Sequence, residues 1–324
     1  MDALYQLGIR FIQFLQTFSP ALDGAMNAFT FLGRIEFYLV FIPFIYWAVD
    51  RRIGVRTLLI LIYTDFISAS FKLLFHEPRP YWIGDVKPLS TETTYGIPSS
   101  HASDSLAVGG YLITRVKQNW LRILIGVIAF FVAFSRLYLG VHFPQDVVFG
   151  WLIGFAVLWA VLKWETLFRD WLDKKTLSTQ IALGFLDSLL FAAIGFLIRL
   201  IVSGTPDPVS WSQFSVQART VTHFVTLAGA AFGTYTGYAL MRQYARFDTK
   251  GRSVKRLARY LLGILGLLVI YFGLDFAFAA IAADETALGY ILRYIRYGAA
   301  TLWATFLAPW VFLKTRLAES ENSS

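Results

Sequence analysis

Residues 120–167 read WLRILIGVIAFFVAFSRLYLGVHFPQDVVFGWLIGFAVLWAVLKWETL. Two mostly apolar runs, about 120–139 and 146–167, each reach the roughly 20 residues that cross a bilayer as a helix. The joint between them is short and carries Ser135-Arg136, His142 and Asp146. Such a stretch predicts two antiparallel membrane helices. Seven more apolar runs, at about 25–49, 57–75, 99–116, 180–202, 220–241, 258–281 and 289–313, bring the predicted spans to nine. The first 20 residues, with a single Arg10 and several aromatics, predict an interfacial helix. They lack the basic start, apolar middle and small-residue cleavage site of a signal peptide, so no segment is expected to be removed.

The composition agrees. The chain has 324 residues, 56% hydrophobic, 17% aromatic and only 15% charged. Its mean hydropathy is +0.56, and soluble domains carry about 25% charged residues. A single soluble core and an intrinsically disordered chain are both excluded. The expected fold class is all-α, a polytopic transmembrane helix bundle. The formal charge of +8 does not indicate nucleic acid, because the basic residues are scattered between apolar runs and form no continuous face. With no cysteine, disulfides, thiol nucleophiles and thiolate metal sites are excluded.

Basic residues also orient the chain. Of the 29 Lys and Arg, 19 fall in alternate loops on one side, which the positive-inside rule makes cytoplasmic. The richest of these loops, Arg242 to Arg259, is explained by this rule and by attraction to anionic lipid. An odd number of spans then predicts an outer N-terminus and an inner C-terminus. Lys72, Arg79 and Arg136 break the pattern, standing at span ends on the opposite side beside His101 and His142.

Those exceptions form a chemical set. Lys72 lies at the end of the second span, and Pro78 and Pro80 break the helix around Arg79. The third span opens with Pro98-Ser99-Ser100-His101, where serine suits an N-cap and the free N–H groups of a first turn attract anions. Three cations, a helix start and serine hydroxyls suit a multiply charged oxyanion such as phosphate. His142 and Asp146, four residues apart, can pair so that one imidazole nitrogen stays N–H and the other is a nucleophile. His101 then serves as the general acid. The expected chemistry is phosphoryl transfer through a phosphohistidine.

At these residues the sequence resembles the type 2 phosphatidic acid phosphatase (PAP2, lipid phosphate phosphatase) superfamily. Its motifs run K-x6-R-P, P-S-G-H and S-R-x5-H-x3-D. Here they stand as Lys72 to Pro80, Pro98 to His101, and Ser135-Arg136 through His142 to Asp146. The resemblance implies that Lys72, Arg79 and Arg136 bind phosphate and that Ser99 and Ser100 complete the cradle. It implies His101 as acid, His142 as nucleophile and Asp146 as its orienting partner, with no metal and no cofactor. Ser100 departs from the usual glycine. The resemblance covers about residues 25–167, so the chain divides into a PAP2-like core with its N-terminal interfacial helix at 1–175 and a four-helix region of unassigned role at 176–324.

The same residues admit other readings. A metal site at His101, His142 and Asp146 is disfavoured by three neighbouring cations. A phosphotransferase that passes phosphate to a second acceptor keeps the same residues, and a non-catalytic anionic-lipid binder needs only the cradle. Vanadium haloperoxidases share the anion site but are expected to be soluble. His76 and Glu77 are expected to face water, and Tyr95 and Tyr138 to be interface aromatics. In the second half, Gly229, Gly233 and Gly237 predict close helix packing, and Asp275 is expected to pair with Arg293 and Arg296. The reading is an integral membrane enzyme of metal-independent acid-phosphatase type. It hydrolyses a phosphomonoester, or the terminal phosphate of a lipid diphosphate, at the outer face of what suits a prokaryotic plasma membrane. Its partners are the lipid phosphate and membrane lipids, with no nucleic acid; oligomeric state is left open.

Overall fold

The computed structural model describes residues 3–321, and among these it is helical without a β-sheet, the one extended pairing being the isolated bridge Phe247–Ser320. Helices occur at each of the nine apolar runs and also outside them, in the order α1 (Ala3–Gln16), α2 (Asp23–Phe31), α3 (Ile35–Phe44) with a π-turn at Ile45–Val49, α4 (Arg51–Phe75), the short α5 (Pro80–Ile83), α6 (Ser100–Arg115), α7 (Asn119–Tyr138) and α8 (Pro144–Asp173). They continue as α9 (Leu177–Val202), the short α10 (Ser212–Ser215), α11 (Thr222–Tyr244), α12 (Ser253–Ala279), α13 (Ala287–Leu302), a π-turn at Trp303–Leu307 and α14 (Ala308–Lys314).

Among the described residues, five helical stretches are long and apolar enough to cross a membrane: Arg51–Ile83, α7, α8, α9 and α12. A sixth is added if α2 and the α3 stretch, bent by 54°, count as one span. The expected nine therefore includes three helices that fall outside this set. α6 and α13 have 16 residues each, short of the length of a bilayer, and α11 is diluted in hydropathy by glycine and threonine. Exposed apolar stripes mark lipid-facing sides. On α12, Leu257, Leu261, Leu265, Val269 and Phe276 all lie outward at near-helical spacing.

The chain forms two compact units. One comprises residues 1–38, 63–163 and 195–220. In it α6 and α7 form an antiparallel pair and α2 lies on α7, with Phe29 stacked on Phe131 at 4.9 Å. The amphipathic α1 buries Ile9 and Ile12 against Val86 and Phe143, and a Cβ at Gly8 would come within 2.7 Å of the Phe143 ring. Gly150 and Gly154 of α8 abut the first turn of α6, where a Cβ at either would lie 2.5 Å from the carbonyl oxygen of Ser99 or Ser103. This close approach fixes the start of α6.

The other unit comprises residues 39–62, 164–194 and 221–324. Here the expected packing role of the glycine stripe holds: Cβ atoms at Gly229, Gly233 and Gly237 would fall 2.0–2.4 Å from Tyr294 O, Gly298 O and Thr305 Oγ1. The π-turn at 45–49 presents Tyr46 and Trp47, which donate to Thr305 O and Ala304 O, both at 2.8 Å. Asp275 pairs with Arg296 as expected, whereas Arg293 pairs with Asp284 at 2.7 Å.

Candidate active site

Every residue of the three motifs lies in the first unit, at the same ends of α4, α6, α7 and α8. Lys72 occupies the last turn of α4, buried, with Nζ donating to the carbonyl oxygens of Tyr95 at 2.9 Å and Gly96 at 3.3 Å. Arg79, also buried, precedes α5 in an extended conformation. Its Nε donates to Thr94 O at 2.6 Å, Nη2 to Thr94 Oγ1 at 2.9 Å and to Tyr95 O at 3.1 Å, and Nη1 to Val141 O at 2.8 Å. Both cations are thus fixed mainly by neutral oxygens of residues 94–96. That arrangement satisfies their N–H groups while leaving their charge for an anion. Gly96 is required at this point, since a Cβ would lie 2.6 Å from Pro78 O.

Arg136, in the last turn of α7, is fully buried; it donates to Thr30 and forms an ion pair with Glu92. Ser99 caps α6, and its N–H donates to Asp146 O at 2.9 Å, tying α6 to α8. Ser100 and His101 form the first turn, where backbone N–H groups have no intrahelical acceptor. Gly33, between α2 and α3, backs His101: a Cβ there would meet the imidazole Cδ2 at 2.6 Å.

His142 lies in the joint between α7 and α8. Its Nδ1 is 3.2 Å from Asp146 Oδ2, and its Nε2 is 3.2 Å from Arg79 Nη1. Asp146 Oδ2 also accepts from the Phe143 N–H at 2.9 Å, which holds the carboxylate at the start of α8. Because a carboxylate accepts, Nδ1 is assigned as the N–H and the Nε2 lone pair faces the cations. Burial, and then the charges of Arg79, Lys72, Arg136 and His101, push His142 well below the usual imidazole range. It is therefore neutral at pH 7, with one ring nitrogen left as a lone pair. Three further polar atoms around this end of the unit, Ser99 Oγ, His101 Nε2 and Arg136 Nε, are buried without a hydrogen-bond partner among the described residues. Among the described residues no group of three or more His, Asp or Glu side chains is placed to hold a metal ion.

Several participants escaped the motif reading. Glu92 joins Arg136 and lies 3.9 Å from Arg79 Nη2. Burial opposes its charge, but Arg136, then Arg79, His101 and Lys72, hold its carboxyl down at about 2. Tyr95 and Tyr138 are buried and not interfacial as expected; Tyr138 donates to Asp23 Oδ1 at 2.6 Å. Tyr95 donates to Asp207 Oδ2 at 2.9 Å, and Asp207 also accepts from Ser215 Oγ at 2.6 Å and Arg219 Nε at 2.8 Å. Trp211 stacks on Trp82 beside this tie, at 5.6 Å between ring centroids. His76 and Glu77 do not simply face water: both are half-buried, and Glu77 accepts from the Tyr5 hydroxyl at 2.5 Å.

The PAP2 superfamily model matches residues 53–170, which contain all three motifs, and a second model, the transmembrane extension of PAP2 superfamily phosphatases, matches residues 225–320. The chain belongs to the PAP2 superfamily. This PAP2 protein is 28% identical over 189 residues to lipid phosphate phosphatase delta of Arabidopsis thaliana, covering 53% of this chain and 45% of the relative. It is also 28% identical over 185 residues to glucose-6-phosphatase 3 of Bos taurus, covering 49% and 53%. Among solved structures it is similar to the transmembrane PAP2-type phosphatidylglycerolphosphate phosphatase of Bacillus subtilis, at 24% identity and a TM-score of 0.44, covering 51% of this chain and 88% of that one. The chain spans about half the length of the two curated relatives.

Proposed function

We propose that this PAP2 protein is a lipid phosphatase that hydrolyses a phosphomonoester, or the terminal phosphate of a lipid diphosphate, through a phosphohistidine on His142. The observation that carries the reading is His142 itself, with Nδ1 held by Asp146 and Nε2 directed at Arg79, among buried polar atoms of Ser99, His101 and Arg136 that lack partners. Lys72, Arg79 and Arg136 neutralise the phosphoryl oxygens, with Ser99 Oγ and the N–H groups of Ser100 and His101 completing the cradle. His142 Nε2 attacks phosphorus, the P–O ester bond breaks, and His101, which carries a proton once the phosphate dianion lies beside it, gives that proton to the departing alkoxide. Neutral His101 then takes a proton from water, whose oxygen displaces His142 and releases inorganic phosphate.

A lipid substrate is supported by the position of the site at the ends of membrane helices, where a headgroup lies while its tail stays in hydrocarbon. One of the two relatives described above is named for lipid phosphates, the other for glucose 6-phosphate. On this reading α6, α11 and α13 also cross, in the shelter of their neighbours, and the distribution of Lys and Arg then supports a site on the outer side. The test is phosphate release from a panel of lipid phosphates and from glucose 6-phosphate, with and without chelator, by the wild type and His142→Ala. Release confined to lipids, insensitive to chelator and abolished in the variant is expected. Undiminished release by the variant would remove His142 as nucleophile, and phosphate trapped on an added lipid acceptor would identify a transferase.

A further inference from the structure

Glu92 engages donors that the proposed mechanism assigns to substrate. Its carboxylate is paired with Arg136 and approaches Arg79, yet 26% of its side chain remains exposed and its neighbours Thr91 and Thr93 are exposed. The backbone at this position is anchored separately, because the Tyr81 hydroxyl donates to Glu92 O at 3.0 Å. Rotation about the side-chain bonds therefore carries the carboxylate into water without moving the loop. Nothing in the proposed chemistry uses this carboxylate as acid, base or nucleophile. It is a charged group in a cradle built for the same charge.

We propose that Glu92 is an internal competitor for the phosphate cradle, whose carboxylate occupies Arg136 and Arg79 and must rotate out before a phosphoryl group takes the same donors. The inference rests on the reading of the site as phosphate-binding. Its consequence is an affinity threshold that only the more highly charged anions clear. A phosphodiester headgroup brings the same single negative charge as Glu92 and gains little by the exchange. A phosphomonoester dianion, or the terminal phosphate of a diphosphate, brings two charges and three terminal oxygens to three cations. The competitor raises the apparent dissociation constant of every anion by one common factor, since each binds only the fraction of sites that Glu92 has left. Monoesters keep useful affinity after that factor, whereas the diesters that make up the surrounding bilayer do not.

Glu92→Gln keeps the shape and removes the charge. Binding of inorganic phosphate to the purified full chain in detergent is measured by calorimetry. Hydrolysis is followed in parallel, with inorganic phosphate and dimethyl phosphate as inhibitors. The variant is expected to bind phosphate about tenfold more tightly and to show the same factor in KM, with no matching gain in kcat. Dimethyl phosphate, silent against the wild type, becomes a measurable inhibitor. The unliganded variant melts at lower temperature, because Arg136 loses its counter-ion. A lower melting point with tighter phosphate binding is a combination that a purely structural role does not produce.

Unchanged or weaker phosphate binding overturns the proposal, as does a gain confined to one of the two anions. Should Glu92→Gln not accumulate as folded protein, Glu92→Asp, one methylene shorter, is expected to tighten phosphate in the same direction, and failure to do so is equally decisive. The binding arm needs no turnover. A wild type that binds phosphate but hydrolyses no lipid phosphate refutes the phosphatase reading and leaves the comparison of variants intact. Absence of phosphate binding in both proteins refutes the cradle and the competitor together.

Discussion

Gly150→Ala tests how strictly the cradle depends on the meeting of α6 and α8. Gly150 lies one helical turn after Asp146, on the face that receives Ser99. A Cβ there would stand 2.5 Å from Ser99 O, 3.0 Å from Ala102 Cβ and 3.3 Å from Ser103 N. Two of these three are backbone atoms, so no flexible side chain can yield. To reach ordinary carbon–oxygen contact, the first turn of α6 must retreat by about 0.7–0.9 Å. The retreat stretches the 2.9 Å hydrogen bond from Ser99 N to Asp146 O and shifts Ser99, Ser100 and His101 against His142. Misplacement of reacting groups by about 1 Å costs about 10²-fold, which is the loss of kcat/KM expected for Gly150→Ala. Gly126→Ala, on α7, is the control, because its nearest neighbour would be Ile113 Cδ1 at 3.9 Å. Phosphate release is measured on both variants alongside melting temperature in the same detergent. A Gly150→Ala protein with wild-type turnover, or an equal loss in Gly126→Ala, would refute the argument.

Other expectations can be checked in the same assays. Asp146→Asn should reduce kcat by about 10³–10⁴-fold with little change in KM, because the amide no longer selects the His142 tautomer with its lone pair on Nε2; rapid quench should show no phosphohistidine. Asp207→Ala removes the acceptor of Tyr95, whose carbonyl holds both Lys72 and Arg79, and should raise KM about tenfold while kcat falls less. Two loop groups, Glu92 and His142, should each withdraw stability on the acid side. Glu92 at about 2, below its ordinary 4.5, gives stability that is complete above about pH 4.5 and lost as pH falls toward 2. Depressed His142 gives stability complete above its ordinary 6.5 and declining as pH falls below it, so thermal melts should weaken on the acid side and Glu92→Gln should flatten the lowest part. In the second unit, Asp275→Arg or Arg296→Asp alone should lower the melting temperature by several degrees, and the double exchange should recover part of it.

The motif residues were legible because their chemistry sits at helix ends, and helix ends are announced by proline, serine and the limits of apolar runs. Lys72, Arg79, His101 and Arg136 could each be placed at a span terminus from spacing alone. The glycines of α11 were legible for a related reason, since a four-residue period implies one helix face. The number of crossings was less so. Hydropathy of a run does not reveal that α6 holds only 16 residues, or that a π-turn interrupts the helix after Leu302. Glu92 and Tyr95 had no signal at all, because a loop carries no periodicity and their roles arise only when residues 80–99 close over the cations. Asp207, 112 residues beyond its partner Tyr95, is an extreme case of the same blindness.

That last tie bears on how this chain can be divided. Residues 195–220 belong to the same compact unit as the motifs, although the PAP2 match ends at residue 170. Asp207, Trp211 and Arg219 are therefore components of the unit that carries the candidate site, contributed by the half of the sequence that looks like an appendage. A protein cut back to residues 1–175 would keep every motif yet lose the outer support of Tyr95, Trp82 and, through Tyr95, two of its three cations. Swapping the C-terminal region between relatives would consequently alter the candidate site as well as the membrane footprint, and successful exchanges should be those that carry residues 195–220 along with the motif-bearing half.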